Sequence, residues 1–241
     1  MGKHELWELR QKQALPLKAK ITMTRLRIRE WINEFGEDGV YVSFSGGKDS
    51  TVLLDIVRKD YPNIEAVFVN TGLEYPSVRL FAESKENVTV LRPTMNFRDV
   101  IIKYGYPVIG KEIAAKTKEV RKSIARGNLN TVRYRQFMGL EKKDNGDPSE
   151  FNCEHYKFLL DAPFELSDEC CDIMKKKPFY KYNKKKKAVP IIAIMADESR
   201  QRRTKWIKFG CNAFDMKHPQ SNPMSFWTEQ DVLTYIHTTS P

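Results

Sequence analysis

The stretch 40–57, VYVSFSGGKDSTVLLDIV, leaves a folding chain few options. Val40–Phe44 is rich in β-branched and aromatic side chains and reads as a buried strand. From Asp49 onward, Val52, Leu53, Ile56 and Val57 recur at helical spacing. Ser45, Gly46, Gly47, Lys48, Asp49 and Ser50 therefore form a strand-to-helix turn. Its glycines permit a sharp bend and leave backbone N–H groups uncovered. The helix start adds unpaired donors and partial positive charge, and Lys48 adds a full charge. Such a turn is built to hold an anion, most simply a phosphate chain. It is not a Walker A loop, because Val42 and Asp49 stand where that motif needs Gly and Ser or Thr.

Two more strands, 65–70 and 87–91, follow with a helix over 77–83 between them. This alternation predicts a doubly wound, mainly parallel α/β sheet. In such sheets ligands bind beyond the carboxyl ends of the strands. The run 189–195, VPIIAIM, reads as a fourth, central strand, and helices are expected near 96–104 and 110–126. Residues 139–152 are polar and rich in turn formers, hence a loop. Thr228 and Asp231 make a near capping box for a last helix. Ahead of the sheet, 1–36 reads as a helical segment divided at Pro16, and 37–241 as one nucleotide-binding domain.

The net charge of +10 is concentrated in two places. Lys175–Lys187 carries eight lysines and no acid, and Lys111–Arg135 carries eight basic residues against Glu112 and Glu119. Such clustering points to a polyanion such as DNA or tRNA, and Tyr180 and Tyr182 offer stacking faces, whereas a solvated lysine loop is the plainer reading of 175–187. The N-terminus lacks a secretory apolar core and no run has membrane-spanning length, so the expected location is cytoplasmic, with no membrane partner. Cys153, Cys170, Cys171 and Cys211 do not form a disulfide framework and read as core thiols, redox or sulfur-carrying groups, or metal ligands.

Four segments in order resemble the phosphoadenylyl-sulfate (PAPS) reductase family of the PP-loop, adenine nucleotide α-hydrolase-like superfamily. SFSGGKDST is similar to the pyrophosphate loop and VNTGLEYPS to the turn after the second strand. IAIMADESRQRR and NPMSFWTEQDVLTYI are similar to two later family segments. The resemblance implies a Rossmann-like sheet binding ATP or an adenylyl sulfate. It implies phosphate contacts from Ser43, Ser45, Gly46, Gly47, Lys48, Asp49 and Ser50, and adenosine contacts from Asn70, Thr71, Gly72 and Glu74. Glu198, Ser199, Arg200 and Arg203 would face the phosphates, with Lys48, Asp49 and Arg200 in catalytic roles and Asp49 as a Mg²⁺ partner. Asn70 replaces the family's usual aspartate.

Three functions are compatible with these residues. An ATP pyrophosphatase would release AMP and pyrophosphate while activating a substrate for sulfur transfer, with sulfur supplied by a donor protein and nucleic acid as one acceptor. A sulfonucleotide reductase would release sulfite, and would need a nucleophilic cysteine in a C-terminal Glu-Cys-Gly motif that 1–241 does not contain. A regulatory module would bind the nucleotide without turnover. The segment ECCDIMKKKP resembles the cysteine pair that, in adenylyl-sulfate reductases, helps to hold a [4Fe–4S] cluster, which makes Cys170 and Cys171, with Cys153 and Cys211, candidate ligands. The lysine-bearing SGGKDS loop and the localised positive charge favour ATP-dependent sulfur transfer.

Overall fold

A computed structural model describes residues 2–240 of the chain. It divides into two compact units, 1–92 with 178–241, and 93–177.

The first unit carries a six-stranded sheet in the order β3-β2-β1-β4-β6-β5. Its strands are β1 (Val40–Phe44), β2 (Glu65–Val69), β3 (Val88–Leu91), β4 (Val189–Ile192), β5 (Asn212–Ala213) and β6 (Gln220–Ser221). All neighbours run parallel except β5 against β6. Val42 of β1 sits in register with Ala66 of β2 and with Ile191 of β4. Successive strand residues point to opposite faces, and β1 uses both. Val40, Val42 and Phe44 join the main core with α1 (Leu6–Gln13), α2 (Leu17–Phe35), α3 (Lys48–Asp60) and α11 (Glu229–Thr239). Tyr41 faces the other way, into a smaller cluster with Tyr182 and Ala188. Helices thus cover both faces, as a doubly wound sheet requires.

The helical spacing of 52–57 has its expected consequence, since Val52, Leu53, Ile56 and Val57 are fully buried. Each such side chain contributes about 1.5–3 kcal/mol relative to exposure. Pro16 separates α1 from α2, and Thr228 with Asp231 forms a complete capping box on α11.

Two expectations need correction. β4 ends at Ile192, because Ile194 N–H turns back to the Ile192 carbonyl and a 3₁₀ turn follows at Ala196–Glu198. Residues 175–187 are not a loop. A π-turn at Asp172–Lys176 leads into α9 (Lys177–Lys186), where Pro178 is tolerated because it lies in the first turn. Aromatic residues on one side of α9 reach the sheet and supply the burial that its lysines do not.

The second unit is helical, with α5 (Phe97–Tyr104), α6 (Lys111–Ala125), α7 (Val132–Phe137), a 3₁₀ segment over Glu154–Asp161 and the single turn α8 (Glu169–Cys171). Its cores are small, centred on Val100 with Ile173 and Met174, Ala114 with Leu159 and Leu166, and Val120 with Phe137. Residues 139–152 contain no helix or ladder, only one bridge between Lys142 and Pro148. No helix among the described residues is long and apolar enough to cross a membrane.

Candidate functional site

The chain runs from β1 outward through β2 to β3, then returns to place β4 on the other flank of β1. The carboxyl ends of β1 and β4 therefore form a topological switch point, the place where open α/β sheets bind ligands. The turn 45–50 leaves β1 there, and 193–199 leaves β4.

Side-chain hydroxyls set the shape of the turn. Ser50 Oγ accepts a hydrogen bond from Ser45 N (3.1 Å) and donates to the Gly47 carbonyl (2.9 Å), while Ser45 Oγ lies 2.9 Å from Ser50 Oγ. Gly46 has φ +73°, and a Cβ there would sit 2.9 Å from the Val78 carbonyl oxygen on α4 (Pro76–Ser84). Only glycine fits that backbone. No side chain caps α3 at Gly47, so its first-turn N–H donors remain for a ligand.

Lys48 and Asp49 open the helix, and Lys48 Nζ lies 3.3 Å from both Asp49 Oδ1 and Glu229 Oε1. Desolvation opposes the lysine charge, but the two carboxylates outweigh it and raise its pKa above the ordinary value. Asp49 Oδ1 is buried, and apart from the Lys48 ammonium it has no hydrogen-bond donor. Lys48, Asp49, Met195, Asp197, Glu198 and Glu229 line a cavity of about 170 Å³. Four carboxylates thus face one ammonium. The volume suits a phosphate group and ions more than a whole nucleotide, since ligand pockets run from about 300 Å³.

Of the 198–203 stretch, Glu198 accepts from Met195 N (2.9 Å) and pairs with Arg202. Ser199 caps α10 (Arg200–Phe209), accepting from Arg202 N at 3.2 Å. Arg200 opens that helix, and Arg203 Nη2 lies 3.9 Å from Asp197. The turn after β2 is closed on itself. Thr71 donates to Glu74 through N–H (3.0 Å) and Oγ1 (2.6 Å), and Gly72 N donates to Asn70 Oδ1 (3.0 Å). Asn70 Nδ2 donates to Glu83 at 3.1 Å. An aspartate at 70 would instead place two carboxylates together, which gives the departure from the family pattern a physical reason. Ser43 lies within β1, in register with Val67 and Ile192.

Sequence reading missed Met195, Asp197 and Glu229 as cavity residues. Met195 and Asp197 lie within the segment IAIMADESRQRR and Glu229 within NPMSFWTEQDVLTYI, but their meeting with Lys48 is a product of tertiary packing.

Cys211 belongs to the first unit and Cys153, Cys170 and Cys171 to the second. Cys211 is buried in the main core, where burial pushes its thiol pKa up. Cys153 is buried with Lys116 Nζ 3.5 Å from its sulfur, and Cys171 hydrogen-bonds Lys111, whose pKa is raised chiefly by that contact. All four thiols are free, and among the described residues no three His, Cys, Asp or Glu side chains converge as metal ligands. Within the second unit, Cys153, Cys170 and Cys171 therefore do not converge as three ligands for a [4Fe–4S] cluster.

The profile of the phosphoadenosine phosphosulfate reductase domain matches residues 39–132, which include both the 45–50 turn and the 70–76 turn. Over those residues the chain is similar to the phosphoadenosine phosphosulfate reductase domain. The matched residues include β1–β3 and the 45–50 turn, whereas Met195, Asp197, Glu198 and Glu229 lie outside them. An adenosine 5'-phosphosulfate reductase of Geobacillus kaustophilus is 32% identical over 94 residues, 38% of this chain and 39% of that protein. An uncharacterized protein of Methanocaldococcus jannaschii is 35% identical over 72 residues, 28% of this chain and 18% of its own length. The chain thus spans less than half the length of these curated relatives. Among solved structures, the U34-tRNA thiolase NcsA from Methanococcus maripaludis, with its [4Fe-4S] cluster, aligns at a TM-score of 0.45 and 14% identity, covering 92% of this chain and 65% of that one.

Proposed function

We propose that the switch-point site splits ATP between its α and β phosphates and uses the AMP to activate an acceptor for sulfur transfer. An acceptor oxygen bonds to the α-phosphorus while the bridging P–O bond breaks and pyrophosphate leaves. A sulfur nucleophile, supplied by a donor protein, then displaces AMP.

One observation carries this reading: a cationic loop meets an acid-lined cavity. The four carboxylates outnumber Lys48, Arg202 and Arg203, the cations paired with them, which favours a substrate that brings a divalent cation, as ATP does. Mg²⁺ takes one or two carboxylates together with substrate phosphates and water. The buried Asp49 Oδ1, whose contact is the Lys48 ammonium, with Glu229 or Asp197 lining the same cavity, fits that pattern. Bound there, the ion would help to neutralise the leaving pyrophosphate.

The chain's own residues do the rest. The α3 N–H groups and Lys48 hold the β and γ phosphates, and Lys48 exchanges Glu229 for phosphate oxygen on binding. Arg200 and Arg203 supply guanidinium contacts to the phosphates. The adenosine lies along the 70–74 turn, outside the small cavity. The test is AMP and pyrophosphate release from ATP with Mg²⁺, against the same sample with chelator. Absence of both products in the presence of Mg²⁺ and candidate acceptors would end the proposal.

A second reading, sulfonucleotide reduction, is favoured by the likeness to the Geobacillus protein. It requires a thiol at the site, and none of the six cavity-lining residues is a cysteine. Sulfite release from adenylyl sulfate under reducing conditions would select it.

A further inference from the structure

We propose that the outer face of α9 is a docking stripe for single-stranded nucleic acid. The two basic stretches look alike in sequence and differ once folded. Within Lys111–Arg135 most charges are used internally: Lys116 pairs with Glu112, Lys118 with Glu169, Arg133 with Glu119 and Arg135 with Glu141. Arg121 donates to the carbonyls of Leu159, Ala162 and Phe164. By contrast, Lys181, Lys184, Lys185, Lys186 and Lys187 are exposed and form no ion pair among the described residues.

The rotation of α9 about its axis is fixed by its inner face. Phe179 stacks on Tyr41 at 6.1 Å, Tyr182 meets the same ring edge-on at 5.2 Å, and Tyr41 Oη donates to Asn183 at 2.7 Å. Tyr180, Lys181, Lys184 and Lys185 consequently share the outward face, at one-turn spacing. Like charges three and four residues apart destabilise a helix, and α9 has no carboxylate to offset them. A polyanion supplies that offset. From Tyr180 to Lys185 the stripe is about 7.5 Å long at helical rise.

Tyr180 decides which polyanion. The residue is 41% exposed and its ring stacks on His218 at 4.5 Å and 23°, so it keeps accessible surface beside Lys181 and Lys184. Lys217, next to His218, is also exposed and unpaired among the described residues. An aromatic platform in a cationic strip takes an unpaired base, whereas a duplex hides its base faces. An acidic protein or an anionic membrane would use the lysines without the ring. That the docked strand presents the acceptor to the adenylating site rests on the preceding reading; the docking itself does not.

The experiment is fluorescence anisotropy of the full chain, without ATP, against a short oligouridylate, the matching oligodeoxythymidylate, a hairpin duplex and phosphatidylserine vesicles, across a salt series. Both single strands should bind more tightly than the duplex, and any difference between them tells RNA from DNA. The triple variant Lys181→Gln, Lys184→Gln, Lys185→Gln should lower the salt slope by about 2, at about 0.7 per lost phosphate contact. Tyr180→Ala should weaken binding roughly tenfold, while Tyr180→Phe retains it. All four side chains are exposed or nearly so, and melting temperatures of these variants should stay near that of the parent. The proposal is overturned by an unchanged triple variant, by equal duplex binding, by an indifferent Tyr180→Ala or by preference for vesicles. Loss of AMP release alone would strike the preceding reading and leave this one standing.

Discussion

The adjacent glycines of the turn make a paired test of the phosphate-loop geometry. Gly46 has φ +73°, and an alanine Cβ there would meet the Val78 carbonyl oxygen at 2.9 Å, Val78 Cγ1 at 3.0 Å and Ala82 Cβ at 3.2 Å. The left-handed backbone costs an L-residue about 1–2 kcal/mol. The contact with helix backbone cannot be relieved by a rotamer change, and overpacking of this kind costs about 1–3 kcal/mol. Gly46→Ala should therefore lose roughly 2–5 kcal/mol, or about 4–20 °C in melting temperature for a chain of this size. Gly47 has an ordinary φ of −83°, and its added Cβ would meet only the Ser45 hydroxyl, at 3.3 Å. Gly47→Ala should lose less than about 1 kcal/mol, in the range of a mild substitution. Thermal and urea unfolding of both variants measure the contrast. Calorimetric titration with ATP and Mg²⁺ should show binding lost in Gly46→Ala, because strain relief moves the loop. Equal stability of the two variants would refute the reasoning.

Three further outcomes follow from the same structure. Lys48→Ala should cut AMP release by about 10²–10³-fold, the usual effect of removing one charge-stabilising donor, with unfolding midpoints nearly unchanged because the pair is partly exposed. Asp231→Ala removes the α11 capping box and strands Lys20, which is 2% exposed and pairs with Asp231 at 2.6 Å. Urea unfolding should show a loss of about 3–5 kcal/mol, and adding Lys20→Met should restore part of it. Burial holds the Tyr41 hydroxyl in its neutral form well above the usual tyrosine range, against the opposing hydrogen bond to Asn183. Its contribution to stability is full below the unfolded tyrosine pKa of about 10 and is lost as pH rises beyond it. Tyr41→Phe should flatten that alkaline decline in pH-dependent unfolding.

Much of the architecture was readable before folding. A β-branched run, a glycine turn and a helical repeat within 40–57 set β1, the phosphate loop and α3. The Thr228–Asp231 spacing fixed the start of α11. These are short-range devices: alternation, capping and glycine freedom act within a few residues of themselves, so they survive without knowledge of the partner surface.

Other properties belong to the tertiary structure. Which side of β1 would receive β4 was not written in either strand, yet that choice creates the switch point where Asp197 and Glu229 meet Lys48. The lysine run reads as loop by composition and is a helix because Phe179 and Tyr182 find Tyr41. Of two basic stretches, most of 111–135 is paired while Lys181 and Lys184–Lys187 form no ion pair among the described residues, since ion pairs such as Lys118–Glu169 depend on carboxylates contributed from elsewhere in the chain. Local pattern sets an element's type and ends, whereas the charge and shape of a site arise from residues far apart in sequence that only packing brings within a few ångströms.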